Sequence, residues 1–220
     1  MAHTRVKNTG QARLFENKYL EMLTKTHPAV IWSMYIPILS FILYRGYDVY
    51  QLSGEKLALL FFGAMLFWTF FEYIAHRYVF HLISESTSMK KFAYILHGNH
   101  HEYPRDRTRL FMPPVPSLIL ASAIFGVQYL ILGHNVWGFF PGFMIGYLLY
   151  GSMHYAIHAF EPPFEFLKPL WRNHQMHHYR NEHLGFGVSN TLWDKVFGTE
   201  FNLLKHKEDP EKAKDLKFDK

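Results

Sequence analysis

The sequence predicts an all-α integral membrane protein with four transmembrane helices. Apolar residues make up 49% of the 220 residues, yet the mean hydropathy is only -0.09. Strongly apolar segments must therefore alternate with strongly polar ones, and four apolar runs are long enough to act as membrane helices. The length suits one domain, which we expect over 28–204, followed by a charged mobile tail over 205–220.

The four apolar runs predict membrane segments at 28–44, 57–75, 115–132 and 136–155. The first run is short for a span and contains Pro37, which indicates a kinked or re-entrant helix. The second is the clearest span. Only three residues separate the third run from the fourth, so these two are predicted to form a tight helical hairpin.

Basic residues predict the orientation in the membrane. Five of the 23 Lys and Arg residues lie in 1–27, five in 82–114 and ten in 160–220, against two in 45–56 and none in 133–135. By the positive-inside rule, both termini and the long central loop face the cytoplasm. The expected location is a bacterial inner membrane or the endoplasmic reticulum, and the net charge of +5 favours anionic lipid headgroups over nucleic acid.

Composition narrows the possible metal chemistry. Cysteine is absent, which excludes disulfides, iron-sulfur clusters and thiolate sites and leaves imidazole and carboxylate as ligands. Histidine is abundant, at 15 residues. Ten of these fall in four motifs: His76 and His81 in HxxxxH, His97, His100 and His101 in HxxHH, His154 and His158 in HxxxH, and His174, His177 and His178 in a second HxxHH.

The spacing of the motifs indicates metal chelation. Residues at i, i+3 and i+4 share one face of an α-helix, so HxxxH and HxxHH each direct imidazoles toward one point. Residues at i and i+5 diverge, and we therefore expect His76 and His81 to bind different ions. Outer carboxylate partners are expected from Glu72, Glu102, Glu161 and Asp194, and His183 is a further candidate for an outer or substrate contact.

Ten imidazoles are too many for one ion. Two ions with about five ligands each would keep one octahedral position open, as a catalytic iron that reacts with dioxygen requires. Zinc stays possible in purified protein, because imidazole binds both metals. We expect no catalytic residues beyond the metal ligands.

At these motifs the sequence resembles the fatty acid hydroxylase and sterol desaturase superfamily of membrane di-iron enzymes. The resemblance covers roughly His76 to Thr199, and the segment GFGVSNTLWDKVFGT over 185–199 is similar to the one in fatty acid 2-hydroxylases. It implies a helical cytoplasmic cap that carries the dimetal centre on a four-helix base, and it implies ligand roles for all ten histidines. The implied reaction is hydroxylation next to the carbonyl of an acyl chain.

Many eukaryotic relatives carry a cytochrome b5 domain before the hydroxylase. Here His27 and Pro28 are followed by Ala29 and Val30 and not by the two glycines of a haem-binding HPGG motif. We therefore expect a separate electron-donor protein of the cytochrome b5, ferredoxin or reductase type.

Three alternatives stay open at this point. A sterol or carotenoid hydroxylase or desaturase would use a similar histidine pattern on a rigid hydrocarbon. A metal transporter would place its ligands near the bilayer midplane rather than at helix ends. A zinc-stabilised scaffold would hold two zinc ions and show no turnover.

Overall fold

The computed structural model describes residues 6–201, and every regular element in that range is helical, which confirms the all-α prediction. The α-helices are α1 Lys18–Met22, α2 Pro28–Asp48, α3 Gly54–Ile74, α4 Thr87–Ala93, α5 Asn99–Glu102, α6 Pro114–Leu132, α7 Val136–Ala159, α8 Lys168–Tyr179 and α9 Leu192–Val196. The predicted tail over 205–220 lies outside the described residues.

Three stretches of the described chain are long and apolar enough to cross a membrane. They are Pro28–Asp48, Gly54–Phe80 and Arg107–Ala159. Helix α2 extends past the predicted run to Asp48, and its 21 residues reach about 31 Å at 1.5 Å per residue. That length matches the hydrocarbon thickness of a bilayer, so the helix is not too short to span it.

The third apolar stretch is a helical hairpin, as its short linker predicts. A 3-10 turn, Gly133–Asn135, joins α6 to α7, and Gly133 takes a φ of 53° there. Pro113 and Pro114 mark the start of α6, where proline removes no helical hydrogen bond.

Helix α7 is the central element, because α2, α3 and α6 all pack against it. Two glycines permit the closest approach to α3. A Cβ at Gly142 would lie 2.0 Å from the Phe61 carbonyl oxygen, and one at Gly146 would lie 2.5 Å from the Trp68 Cβ. Small residues spaced four apart are a usual means of bringing two membrane helices together.

Hydrogen bonds between side chains also join the membrane helices. The buried Tyr35 hydroxyl lies 2.8 Å from the Ser117 hydroxyl, and the Trp32 indole donates to Ser152 at 2.9 Å. These bonds link α2 to α6 and to α7. Large apolar side chains on the outer surfaces stay exposed, as a lipid-facing surface requires.

The shorter helices α5, α8 and α9 lie beside the ends of α3 and α7 where the histidines are found. The N-terminal segment runs across this part of the molecule. Lys7 bonds to Glu102 through both its backbone and its ammonium group, and the Tyr179 hydroxyl donates to Asn8 at 2.8 Å. Residues 6–17, predicted only as polar, are therefore part of the folded structure.

Candidate metal centre

The ten motif histidines come together as two adjacent groups of five. Within each group, the ring nitrogens that would bind an ion all lie within 4.8 Å of one another. Cluster A comprises His76, His81, His97, His101 and His177. Cluster B comprises His100, His154, His158, His174 and His178. The arrangement offers five imidazoles to each of two ions, the number that the sequence predicts.

The two HxxHH motifs divide their histidines between the clusters, so the prediction that each motif directs all its imidazoles toward one point is wrong. In each motif the two outer histidines, four residues apart, join one cluster, and the middle histidine joins the other. The middle histidines are His100, which belongs to cluster B, and His177, which belongs to cluster A. Neighbouring residues of a helix diverge by about 100°, so a middle histidine points away from the outer pair and toward the second cluster.

The first motif, HxxxxH, behaves differently from the prediction. His76 and His81 were expected to bind different ions, but both lie in cluster A, with their Nε2 atoms 3.3 Å apart. The reason is a π-helical turn over Ala75–Phe80, in which the His81 amide donates to the His76 carbonyl. Hydrogen bonding from i to i+5 places residues five apart on the same side.

The distances between ring nitrogens fit metal coordination. In cluster A, the Nε2 atoms of neighbouring rings are 3.0 to 3.3 Å apart. In cluster B, two such Nε2 pairs are 2.9 and 3.1 Å apart. Metal–nitrogen bonds of about 2.0–2.1 Å at right angles would separate two ligands by roughly 3 Å. The nitrogens thus stand where adjacent ligands of one ion would stand.

Buried nitrogen atoms without partners point to the same conclusion. The Nε2 atoms of His100 and His154 are buried and find no hydrogen-bond partner among residues 6–201. An unpaired buried polar atom costs about 1–3 kcal/mol, so a protein rarely leaves several together. Both atoms belong to cluster B, where a cation at the centre would use these lone pairs.

The surroundings keep the imidazoles neutral, as metal binding requires. Burial, reinforced by repulsion between neighbouring imidazoles, lowers the pKa of His97, His101 and His178 well below the usual value. The pKa values of His81 and His177 are lowered for the same reasons. Protonated rings could not bind a cation, so these shifts favour the ligand form at neutral pH.

Comparison with known proteins gives the family. The family model for fatty acid hydroxylase matches residues 61–199, the region that carries all ten histidines. The chain belongs to the fatty acid hydroxylase family. This result confirms the resemblance found at the histidine motifs and identifies the protein as an oxygen-dependent oxidoreductase.

Individual relatives of the chain are also fatty acid hydroxylases. The dihydroceramide fatty acyl 2-hydroxylase FAH1 of Arabidopsis thaliana is 32% identical over 90% of this chain and 83% of its own. The ceramide very long chain fatty acid hydroxylase SCS7 of Saccharomyces cerevisiae is 35% identical over 86% of this chain and 50% of its own. The solved structure of full-length scs7p, in which only the hydroxylase domain is visible, has a TM-score of 0.80 and 34% identity, and the match covers 88% of this chain and 73% of that one.

Two rings of cluster A have backbone carbonyls as outer partners, and not the expected carboxylates. His76 donates from Nδ1 to the Phe186 carbonyl at 2.6 Å, and His177 donates to the Leu184 carbonyl at 2.7 Å. Both acceptors lie in the loop 184–189 between α8 and α9. Such bonds fix which ring nitrogen is protonated and leave Nε2 free for an ion.

Two of the predicted carboxylates hold this loop. Buried Asp194 accepts from the amides of Phe186 and Gly187, both at 2.9 Å, and also from Thr199 and Asn173. All four partners are donors, which suits an ionised carboxylate. Asp194 therefore holds the loop that bonds to the histidines, and within residues 6–201 it makes no bond to a histidine itself.

Glu72 holds the same loop from α3. It accepts from the Ser189 hydroxyl at 2.8 Å and from the Ser189 amide at 2.9 Å. These bonds compensate for a carboxylate buried in an apolar helix. Of the other candidates, Glu102 bonds to Lys7 and Tyr94, while Glu161 and His183 are exposed.

Glycines let the loop approach its neighbours closely. Gly185 takes a φ of 71°, a region that side chains rarely occupy, and a Cβ there would meet the Phe201 ring at 2.5 Å. A Cβ at Gly187 would lie 2.0 Å from the Asn190 carbonyl oxygen. The loop geometry therefore requires glycine at both ends of the GFG sequence, residues 185–187. From the sequence, this segment served only as evidence for the family.

The clusters are adjacent and share a small cavity. The rings of His101 in cluster A and His178 in cluster B stack with centroids 4.1 Å apart. Both rings line a cavity of about 170 Å³, together with residues of the N-terminal segment and of the chain after α8. This cavity gives small molecules a place beside both clusters.

Proposed function

We propose that the protein hydroxylates the second carbon of a fatty acyl chain, with one iron ion in each histidine cluster. The observation that carries this proposal is the pair of five-imidazole clusters inside the region that matches the family. The named relatives are a dihydroceramide fatty acyl 2-hydroxylase and a ceramide fatty acid hydroxylase, which support an acyl substrate.

The protein's part in the reaction is to hold and shield the metal centre. Two iron ions, when bound, would supply dioxygen activation for attack on an unreactive C–H bond. The ten neutral imidazoles provide the ligands, and the carbonyls of Leu184 and Phe186 orient two of them. Most of the ten rings are buried, which keeps bulk water from the reacting centre.

The membrane helices place the substrate. We propose that α2, α3, α6 and α7 each cross the bilayer, since a continuous helix of 53 residues would far exceed its thickness and the third stretch folds back at Gly133. The clusters lie at the ends of α3 and α7, so an acyl chain among the helices can present its carbonyl end to them. Residues 28–204 would form this hydroxylase domain.

Orientation and electron supply complete the proposal. The distribution of Lys and Arg supports a cytoplasmic location for the termini and for the clusters, which would form a cytoplasmic cap. A separate protein of the cytochrome b5, ferredoxin or reductase type would deliver the two electrons that, with two from the C–H bond, reduce dioxygen to the new hydroxyl group and water.

The test uses labelled dioxygen. The full chain is loaded anaerobically with iron, supplied with a reductant and lipid, and exposed to ¹⁸O₂, and the lipids are then analysed by mass spectrometry. We expect one labelled oxygen at the second acyl carbon. Label on a sterol or carotenoid with unchanged acyl chains would contradict the substrate, and metal uptake without a labelled product would favour the transporter or scaffold alternatives.

A further inference from the structure

The two clusters differ in what holds their rings from outside. In cluster A, two Nδ1 atoms donate to carbonyls of the loop 184–189, at 2.6 and 2.7 Å. In cluster B, the Nδ1 atoms of His174 and His178 are buried and meet no acceptor within residues 6–201. Of the remaining rings of cluster B, His154 is bonded to the backbone of Leu110.

Two carboxylates hold the loop 184–189 at Phe186 and at the residues that follow it. Asp194 binds two consecutive amides, those of Phe186 and Gly187, from α9. Glu72 binds Ser189 from α3. The Phe186 carbonyl that meets His76 lies in the same planar peptide unit as the Gly187 amide, which donates to Asp194, so the carboxylate fixes the direction of that carbonyl.

We propose that Asp194 and Glu72 are positioning residues that make cluster A the tighter of two unequal metal sites. They act through the loop, which holds His76 and His177 in the orientation that metal binding needs. Cluster B has no such support at His174 and His178, so its ion is exchanged first. This inference rests on the proposed dimetal centre.

The physical basis is pre-organisation. A ring that is already fixed in its binding orientation loses less freedom when the ion binds. Loss of an outer partner of a metal-bound histidine typically lowers metal affinity by about 10–100-fold. The two clusters should therefore differ measurably, although both contain five imidazoles.

The wild-type protein provides the first measurement. The full chain is loaded with two equivalents of ⁵⁷Fe²⁺ under anaerobic conditions and challenged with excess chelator, and retained iron is followed by mass spectrometry and Mössbauer spectroscopy. We expect release in two phases and two distinguishable quadrupole doublets, one lost with each phase. Release of both ions in a single phase would overturn the proposal.

Variants then assign the slow phase. Asp194→Asn places an amide group opposite a backbone N–H, and we expect it to accelerate the slow phase roughly 10-fold while the fast phase stays unchanged. Ser189→Ala removes one donor to Glu72 and should give a smaller acceleration in the same direction. It is the milder change and decides the question if Asp194→Asn does not fold.

Asp106→Asn is the matched control. Asp106 is also buried and accepts bonds from Thr108 and Arg109, but it contacts neither the loop nor a cluster histidine. We expect general destabilisation without a change in the ratio of the two phases. Equal acceleration of the slow phase in all three variants would overturn the proposal, and failure of the wild type to bind iron would instead contradict the proposed function.

Discussion

Clusters A and B have the same ligand number but are built differently. Cluster A takes His76 from the π-helical turn after α3 and His81 from the residue that ends this turn, whereas cluster B takes two ligands from α7 at i and i+4. The pair from each HxxHH motif goes to one cluster and the middle histidine to the other. Each cluster therefore depends on residues of the motif that mainly serves its neighbour.

The largest effect is expected from ligands of either cluster. His76→Ala in cluster A and His154→Ala in cluster B should each lower hydroxylation by more than the roughly 100-fold that loss of an outer partner can cause, because both ions are needed. Product formation is measured in membranes that contain equal amounts of each variant. Retention of substantial activity by either variant would contradict the two-ion account.

Variants of the middle histidines of the two HxxHH motifs should each remove the ion of one cluster. His177→Ala alters α8, which otherwise serves cluster B, yet we expect it to remove the ion of cluster A. His100→Ala should do the converse. Metal content should fall from two ions toward one in both variants, with different Mössbauer doublets remaining. If both variants kept the same doublet, the assignment of these two histidines would be wrong.

The pH dependence should be common to both clusters. Burial and repulsion hold the pKa values of His97 and His101 in cluster A, and of His100 and His174 in cluster B, well below the usual value. The unfolded chain therefore binds protons first as the pH falls below about 6.5, and the folded state is favoured above that value.

We therefore expect the free energy of unfolding of the metal-free protein to decrease steadily from pH 7 to pH 5. Each such histidine contributes up to about 1.4 kcal/mol per pH unit. The measurement is Tm in detergent across this range, after chelator treatment. A Tm that rises on acidification would show that the folded state takes up protons and would contradict the neutral clusters.

Packing between α3 and α7 positions the clusters relative to each other, since His76 lies in the turn that continues α3 and His154 lies on α7. Gly146→Ala would place a methyl group 2.5 Å from the Trp68 Cβ. We expect a loss of about 1–3 kcal/mol in stability, measured as a lower Tm. Gly63→Ala is the control on α3, because nothing lies within 4 Å of its Cβ position. Equal Tm values for the two variants would argue against close packing at Gly146.

The smallest effect is expected at His183, which belongs to neither cluster and is exposed. His183→Ala should change activity less than about 2-fold and stability by less than about 0.5 kcal/mol. Steady-state rates and Tm of the purified variant are the measurements. A large loss of activity would show a substrate contact that the described geometry does not suggest.

The sequence predicted the long apolar helices and the two groups of histidines, because both depend on local composition and spacing. It did not predict that His76 and His81 share a cluster, since the π-helical turn between them is not encoded in a simple repeat. It also assigned carboxylates directly to histidines. In the structure the carbonyls of Leu184 and Phe186 lie between the carboxylates and the histidines. Every residue has a backbone carbonyl, so the residue types do not indicate which one accepts a bond.

The sequence did not predict the contacts of the N-terminal segment either. Its contacts with Glu102 and Tyr179 join residues far apart in the chain, and polar side chains of this kind are usual on any surface. Spacing predicts what is near along a helix, whereas contacts between distant segments require the fold itself.

The most direct test of the dimetal centre is X-ray absorption spectroscopy combined with metal counting on the iron-loaded full chain. The account predicts two iron ions per chain, each with about five imidazole nitrogens. One ion per chain, or two ions bound mainly by oxygen ligands, would contradict it.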